Sequence, residues 1–307
     1  MADTARRNDL RGFAIVAQEA LRWADMAEAM RTLVVETQAL ERDEQELLAL
    51  AYRNLLQPIR SAWHTITSLL PSPDHPNPCA LVGGGGKEAA IRRYREKLEA
   101  DVLGVCEEVI ALLQPLQVAS RHDAASLVFL HKMAGDYHRY MAEVTTGAER
   151  ARAEENAISA YVAGSALAKR VLAGSAPLRL GLALNYSVLC HHHLDQLAQA
   201  IAIAQAAVEA AEVGLAGLSR EDREDSGSKR GLLVSNLKEW RAEQRRRQQQ
   251  AEAESKKQAL VAAALRDAED QPQTKSDYEC YDDDDNKENE SWRSRDFDGI
   301  DLLPPSL

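Results

Sequence analysis

Lys132-Met133-Ala134-Gly135-Asp136-Tyr137-His138-Arg139-Tyr140-Met141-Ala142-Glu143-Val144 decides how this chain folds. The stretch holds no proline and no run of β-branched residues, and Met133, Tyr137, Tyr140, Met141 and Val144 recur at three and four, the spacing of a mostly buried helix. Arg139 lies within that helix with Glu143 one turn on, where a carboxylate can hold the guanidinium. A buried cation beside a tyrosine hydroxyl is expensive unless something anionic meets it. The residues alone leave two readings open, an internal salt bridge or an anion site.

Arg53 and Arg60 repeat the theme upstream. They are seven residues apart, two helical turns, so both project from one face of a helix expected over 43–69. The residues between them are neutral, whereas a solvated face would interleave carboxylates, so the pair favours an anion site. The apolar residues of this helix expected inside are Leu47, Leu48, Ala51, Leu55 and Trp63.

The wider composition argues for helix throughout. Aromatic residues make up 5% of the 307, and Ala and Leu dominate over β-branched residues. A formal charge of −11 makes non-specific nucleic-acid binding an unfavourable expectation. No window reads as the ~20 apolar residues of a membrane span, and no signal pattern opens the chain, so no membrane partner is expected. Cys79, Cys106, Cys190 and Cys280 have neither metal-like nor disulfide-like spacing, which points to a reducing, cytoplasmic compartment, with the nucleus also open to the protein.

The opening stretch, as Lys-Met-x-Gly-Asp-Tyr-x-Arg-Tyr-x-Ala-Glu-Val, resembles the central helix of the 14-3-3 proteins. Arg179-Leu-Gly-Leu-Ala-Leu-Asn185-Tyr-Ser-Val188 is similar to a second block of that family. Ala51-Tyr52-Arg53-Asn54 with Arg60, Ser61 and Trp63, and Tyr94-Arg-Glu-Lys97-Leu-Glu, add collinear matches from about residue 10 to Trp240. The resemblance implies an all-α fold, a curved antiparallel array of about nine helices that pairs into a dimer. It also implies an adaptor that binds phosphoserine or phosphothreonine motifs of client proteins, with no enzyme activity and no cofactor.

Carried over residue by residue, the resemblance implies that Arg53, Arg60 and Arg139 grip the phosphate with the Tyr140 hydroxyl. Guanidinium forks match phosphate oxygens bidentately, so Arg53, where the family usually has Lys, keeps the charge and changes the geometry. Asn185 and Asn236 match amides that bond the peptide backbone, since one amide supplies both donor and acceptor. Lys132, Glu143, Leu184, Val188, Leu232 and Trp240 complete the implied groove. Arg22, Asp25, Tyr94, Lys97 and Asp101 match the dimer interface, with Arg22–Asp101 and Asp25–Lys97 paired across it, in a homodimer or a heterodimer with a related chain. An apolar stripe of the first helix, Phe13, Val16, Ala20 and Trp23, is expected to do most of the holding, because exposed ion pairs contribute about 0–1 kcal/mol each.

Several positions depart from the pattern. Lys229 and Glu239 stand where the family has apolar groove residues, Ala134 replaces a basic one, His192 an acidic one, and Ala62 a serine that is regulatory in many members. The last family helix, expected from about Ser228 through Trp240, is poorly matched at Gly227 to Arg230. A phosphate-independent scaffold or chaperone for apolar client segments is therefore the alternative. Cys190-His191-His192-His193 offers no metal site, because successive helical residues point about 100° apart. Gly86-Lys87 is no phosphate loop, since Glu88 stands where Ser or Thr is needed.

The resemblance implies a phosphopeptide-binding domain over 1–242, and composition beyond it reads as an extended charged helix over 243–270 and a disordered acidic tail over 271–307. Residues 71–86 form a Pro- and Gly-rich connection, and Pro115 is expected to strain or end the helix over 88–118. From Lys275 onward 11 acidic side chains face 4 basic ones. The acidic-apolar end, Asp296 to Leu307 with Ser306 next to last, suits occupancy of the arginine groove in cis.

Overall fold

The computed structural model describes residues 2–70, 85–212 and 217–269, and the connection over 71–84 and the tail over 270–307 lie outside the described residues. The chain forms two compact units, Met1–Ala251 and Glu252–Leu307; the described part of the second unit is helical.

Among the described residues there are nine helices and no strand. They are α1 (Ala2–Glu19), α2 (Trp23–Thr37), α3 (Arg42–Ser68), α4 (Gly85–Ala119), α5 (Ala124–Val144), α6 (Gly147–Val171), α7 (Pro177–His192), α8 (Leu197–Ala211) and α9 (Arg220–Glu269). From α1 through α8 each helix packs on the next, as short connections between amphipathic helices require. Local chemistry sets several boundaries. Asp123 caps α5 by accepting from the backbone N–H groups of Ala125 and Ser126, and Pro177 opens α7, where its missing N–H is not needed. Glu41 and Glu44 form a reciprocal capping box at the start of α3.

The main core collects Met26, Met30, Leu33, Leu48, Tyr52, Leu56, Val102, Val109, Leu113 and Tyr137, all nearly inaccessible. A second cluster joins α7, α8 and α9 through Leu180, Cys190, Ile201, Leu233, Leu237 and Trp240. Of the residues expected inside α3, Leu48 and Ala51 are fully buried, while Leu47, Leu55 and Trp63 pack partly buried against the same core.

Five expectations need correction. Pro115 does not end α4, which continues to Ala119: one missing N–H removes one ladder bond, and Leu113 and Leu116 are packed on either side. Gly85 and Gly86 belong to α4 rather than to the connection before it. Helix α9 begins at Arg220, eight residues before Ser228, and the Ser226 hydroxyl anchors this turn by donating to the Ser175 carbonyl at 2.7 Å. Trp23 starts α2 instead of extending the α1 stripe; Leu10, Ala14 and Ala17 face the core, and Phe13 and Val16 are 56% and 68% exposed. Finally, Glu88–Ala119 is long and apolar enough by composition to cross a membrane. Of an 18-residue apolar window within it, 33% is buried in the core, Val102, Cys106, Val109 and Leu116 among it.

Gly135 sets how closely α5 and α6 approach. A Cβ there would lie 2.5 Å from the ring of Tyr161, which is itself fully buried. Gly135→Ala should therefore destabilise the protein by about 1–3 kcal/mol through overpacking. Thermal unfolding checks this, and an unchanged midpoint would show that the Tyr161 ring has room to move.

Candidate functional site

Helix α5 is buried along much of its length, and its charged residues Lys132, Asp136, Arg139 and Glu143 are each in an ion pair. Glu143 receives Arg60 from α3 in a fork, with the Arg60 Nε 2.9 Å from Oε2 and Nη2 2.8 Å from Oε1. Arg139 donates through Nη1 to the same carboxylate at 3.1 Å. Both guanidiniums lie against Tyr140, at 4.0 Å and 4.5 Å from the ring centroid. Two arginines thus share one carboxylate and one aromatic ring, leaving a local excess of positive charge.

Arg139 is 9% exposed, and its Nε is buried with no hydrogen-bond partner among the described residues. Burial favours loss of its proton, but Tyr161, Tyr140, Asp136 and Glu143 outweigh this and hold the guanidinium charged. Burial likewise raises the pKa of Tyr140, keeping its hydroxyl a donor. The internal salt bridge and the anion site are therefore not exclusive: Glu143 positions the arginines without neutralising both.

Arg53 is exposed and has no ion pair or hydrogen bond among the described residues. It does not reach Glu143. With Lys132, Tyr137 and Tyr140 it lines an adjoining concavity of about 470 Å³ between α3, α5 and the starts of α7 and α9. Lys229 lies on that rim, held by Asp225 at 2.5 Å, and the stems of Lys132 and Lys229 flank Gly181.

Beneath the groove lies a residue that sequence reasoning missed. Asp136 is buried and accepts from Lys132 Nζ at 2.7 Å, the Tyr161 hydroxyl at 2.5 Å and Asn185 Nδ2 at 2.6 Å. Burial opposes its ionisation, yet Lys132 and Arg139 and the bonds from Lys132 and Tyr161 hold its pKa below the ordinary value. Asp136 thereby orients both Lys132 and Asn185. The Lys132–Asp136 spacing of four was the available signal.

The remaining residues fall as follows. Asn236 is half-buried on α9, with no side-chain hydrogen bond among the described residues. Leu184 and Val188 are half-buried on α7, Leu232 is 54% exposed, and Trp240 is packed at 4% in the second core cluster, stacked on His191. His191 meets Glu243 at 2.8 Å, and no group of three metal-ligating side chains assembles among the described residues. At the other end, Arg22 pairs with its own neighbour Asp25 at 2.9 Å and Lys97 with Asp101 at 2.6 Å, with Tyr94 49% exposed.

Fold and site define the class: an all-α protein whose helices hold partly uncompensated guanidiniums beside a groove. A family model described as 14-3-3 protein matches residues 13–241. The chain is 36% identical over 237 residues to 14-3-3 protein beta/alpha-1 of Oncorhynchus mykiss, covering 77% of this chain and 94% of that protein. It is also 36% identical over 228 residues to 14-3-3 protein 6 of Solanum lycopersicum and to 14-3-3-like protein 16R of Solanum tuberosum, covering 73% of this chain and 86% of each. The chain belongs to the 14-3-3 family, a family of non-enzymatic adaptors that bind client proteins.

Proposed function

We propose that the protein is a dimeric adaptor that clamps phosphoserine or phosphothreonine motifs of its clients in the groove lined by α3, α5, α7 and α9. The carrying observation is Arg139, a buried guanidinium whose Nε has no hydrogen-bond partner among the described residues and whose carboxylate is shared with Arg60. A phosphate would complete its donors and those of Arg53, which has no partner among the described residues, each contact being a charge-assisted hydrogen bond. Tyr140 is a further donor, and Asn185 and Asn236 bind the peptide backbone. The test is titration with a labelled phosphopeptide and its unphosphorylated twin. Equal binding of the two would favour the scaffold or chaperone reading instead.

Dimerisation through α1, α2 and α4 is supported by the exposed apolar residues Phe13, Val16 and Leu21. In this reading Arg22 and Asp25 exchange their own-chain pairing for Asp101 and Lys97 of a second chain. The charge reversal Lys97→Glu should weaken association, and Asp25→Lys combined with it should partly restore it. No recovery in the double variant, by analytical ultracentrifugation, would remove the pair from the interface.

Residues 1–242 form the binding domain in this proposal, 243–270 a charged helical extension and 271–307 a regulatory acidic tail acting as a weak competitor for client binding. Deleting residues 273–307 should tighten phosphopeptide binding several-fold, as loss of a tethered ligand would. Equal affinity of truncated and full-length chains at low salt would exclude that role. We assign the protein to the cytoplasm, with occurrence in the nucleus, on its scattered cysteines.

A further inference from the structure

Helix α7 serves two concavities. On one side Gly181 meets the stems of Lys132 and Lys229, and Asn185 meets Asp136, so this face borders the phosphate groove. On the other, Arg179, Ala183 and Tyr186, spaced four and three apart, line a separate cavity of about 380 Å³. Helix α6 contributes Lys169 and Val162 to it, and α8 contributes Gln199 and Ile203. The cavity is large enough for a small molecule, mostly apolar, and carries a few polar groups that could orient one.

Its charge is the informative feature. Among the described residues no carboxylate lines the cavity, although the chain as a whole has a formal charge of −11. Arg179 donates to the Leu172 carbonyl at 3.0 Å, and neither Arg179 nor Lys169 meets a carboxylate among the described residues. Among the other cations of α5 and α6, Lys132, Arg139 and Arg150 each bond an acid one turn away, whereas Arg152 and Arg170 meet none among the described residues. Two unneutralised cations beside an apolar wall attract an anion, and the wall rewards one with an apolar body.

We propose that this cavity between α6, α7 and α8 is a second ligand site, which takes a small amphipathic anion, an alkyl or aryl carboxylate. The carboxylate head meets Lys169 and Arg179, and the apolar body lies along Ala183 and Ile203. The site is separate from the phosphate groove and does not depend on how that groove is read.

Decanoate, below its micelle concentration, is the probe, titrated into the full chain by calorimetry with decanol and decyltrimethylammonium as controls. One decanoate should bind per chain at least about tenfold more tightly than decanol, the advantage of charge-assisted contacts, and the cation should not bind. Lys169→Gln, an exposed change that leaves the fold intact, should remove most of that advantage. Ala183→Phe, which puts a ring where the apolar body would lie, should abolish binding. No decanoate binding, equal binding of decanol and decanoate, or full affinity in the Lys169→Gln variant would overturn the proposal. Displacement of decanoate by a saturating phosphopeptide would overturn it too, since the anion would then occupy the arginine groove.

Discussion

Arg139→Ala will weaken phosphopeptide binding by roughly ten- to hundredfold, through loss of a charge-assisted contact worth about 1.5–3 kcal/mol. The fold should survive, because Glu143 keeps its fork from Arg60 and no carboxylate is left buried alone. Arg53→Ala separates binding from stability more cleanly. Arg53 is exposed and partner-free among the described residues, so its removal should change stability by no more than about 0.5 kcal/mol. It should nevertheless weaken the phosphopeptide by a similar factor. Fluorescence anisotropy with a labelled peptide, beside thermal unfolding of each variant, reads both quantities. Unchanged affinity in two folded variants would return Arg139 to a structural salt bridge and Arg53 to a solvated surface.

Asp136→Ala will be the most destabilising single change in the groove. It strips three hydrogen bonds at once, leaving the buried Tyr161 hydroxyl, the Lys132 ammonium and the Asn185 amide without their acceptor. Removing one partner of a buried charged network costs about 3–5 kcal/mol. Urea denaturation of wild type and variant measures it, and a loss below about 1 kcal/mol would mean that water replaces the carboxylate freely. The pH dependence has a definite sign. The folded-state pKa of Asp136 is depressed, so its contribution is fully present above the ordinary carboxylate pKa, near 4, and is lost as pH falls through the lower folded value. The stability gap between wild type and Asp136→Ala should therefore narrow only in acid. A gap that is the same at neutral and strongly acidic pH would show that Asp136 acts through packing, not charge.

Much of this was legible in the chain itself. The three-four spacing of Met133, Tyr137, Tyr140, Met141 and Val144 identified α5 as a core helix; Met133, Tyr137 and Val144 are buried and Tyr140 and Met141 half-buried. The seven-residue interval between Arg53 and Arg60, and the four between Arg139 and Glu143, already pointed to a cation-rich face, because helical period alone decides which neighbours share a side. Family motifs along residues 10–240 named the remaining candidate residues, and the family match over 13–241 bears out the recognition.

Other features were decided only by the tertiary structure. Asp136 meets Tyr161 and Asn185, which are 25 and 49 residues away, and Arg7 holds buried Glu44 across 37. No local pattern encodes such pairs, since each partner alone reads as an ordinary polar helix residue. Periodicity likewise marked an apolar stripe in α1 without saying what covers it: Leu10, Ala14 and Ala17 turn inward while Phe13 and Val16 face out. The acid-free cavity behind α7 is of the same kind. Its two cations lie ten residues apart on different helices, and only the packing of α6 against α7 and α8 brings them to one apolar wall. Helical period fixes which side chains share a face, whereas the choice of what that face meets is made by long-range packing.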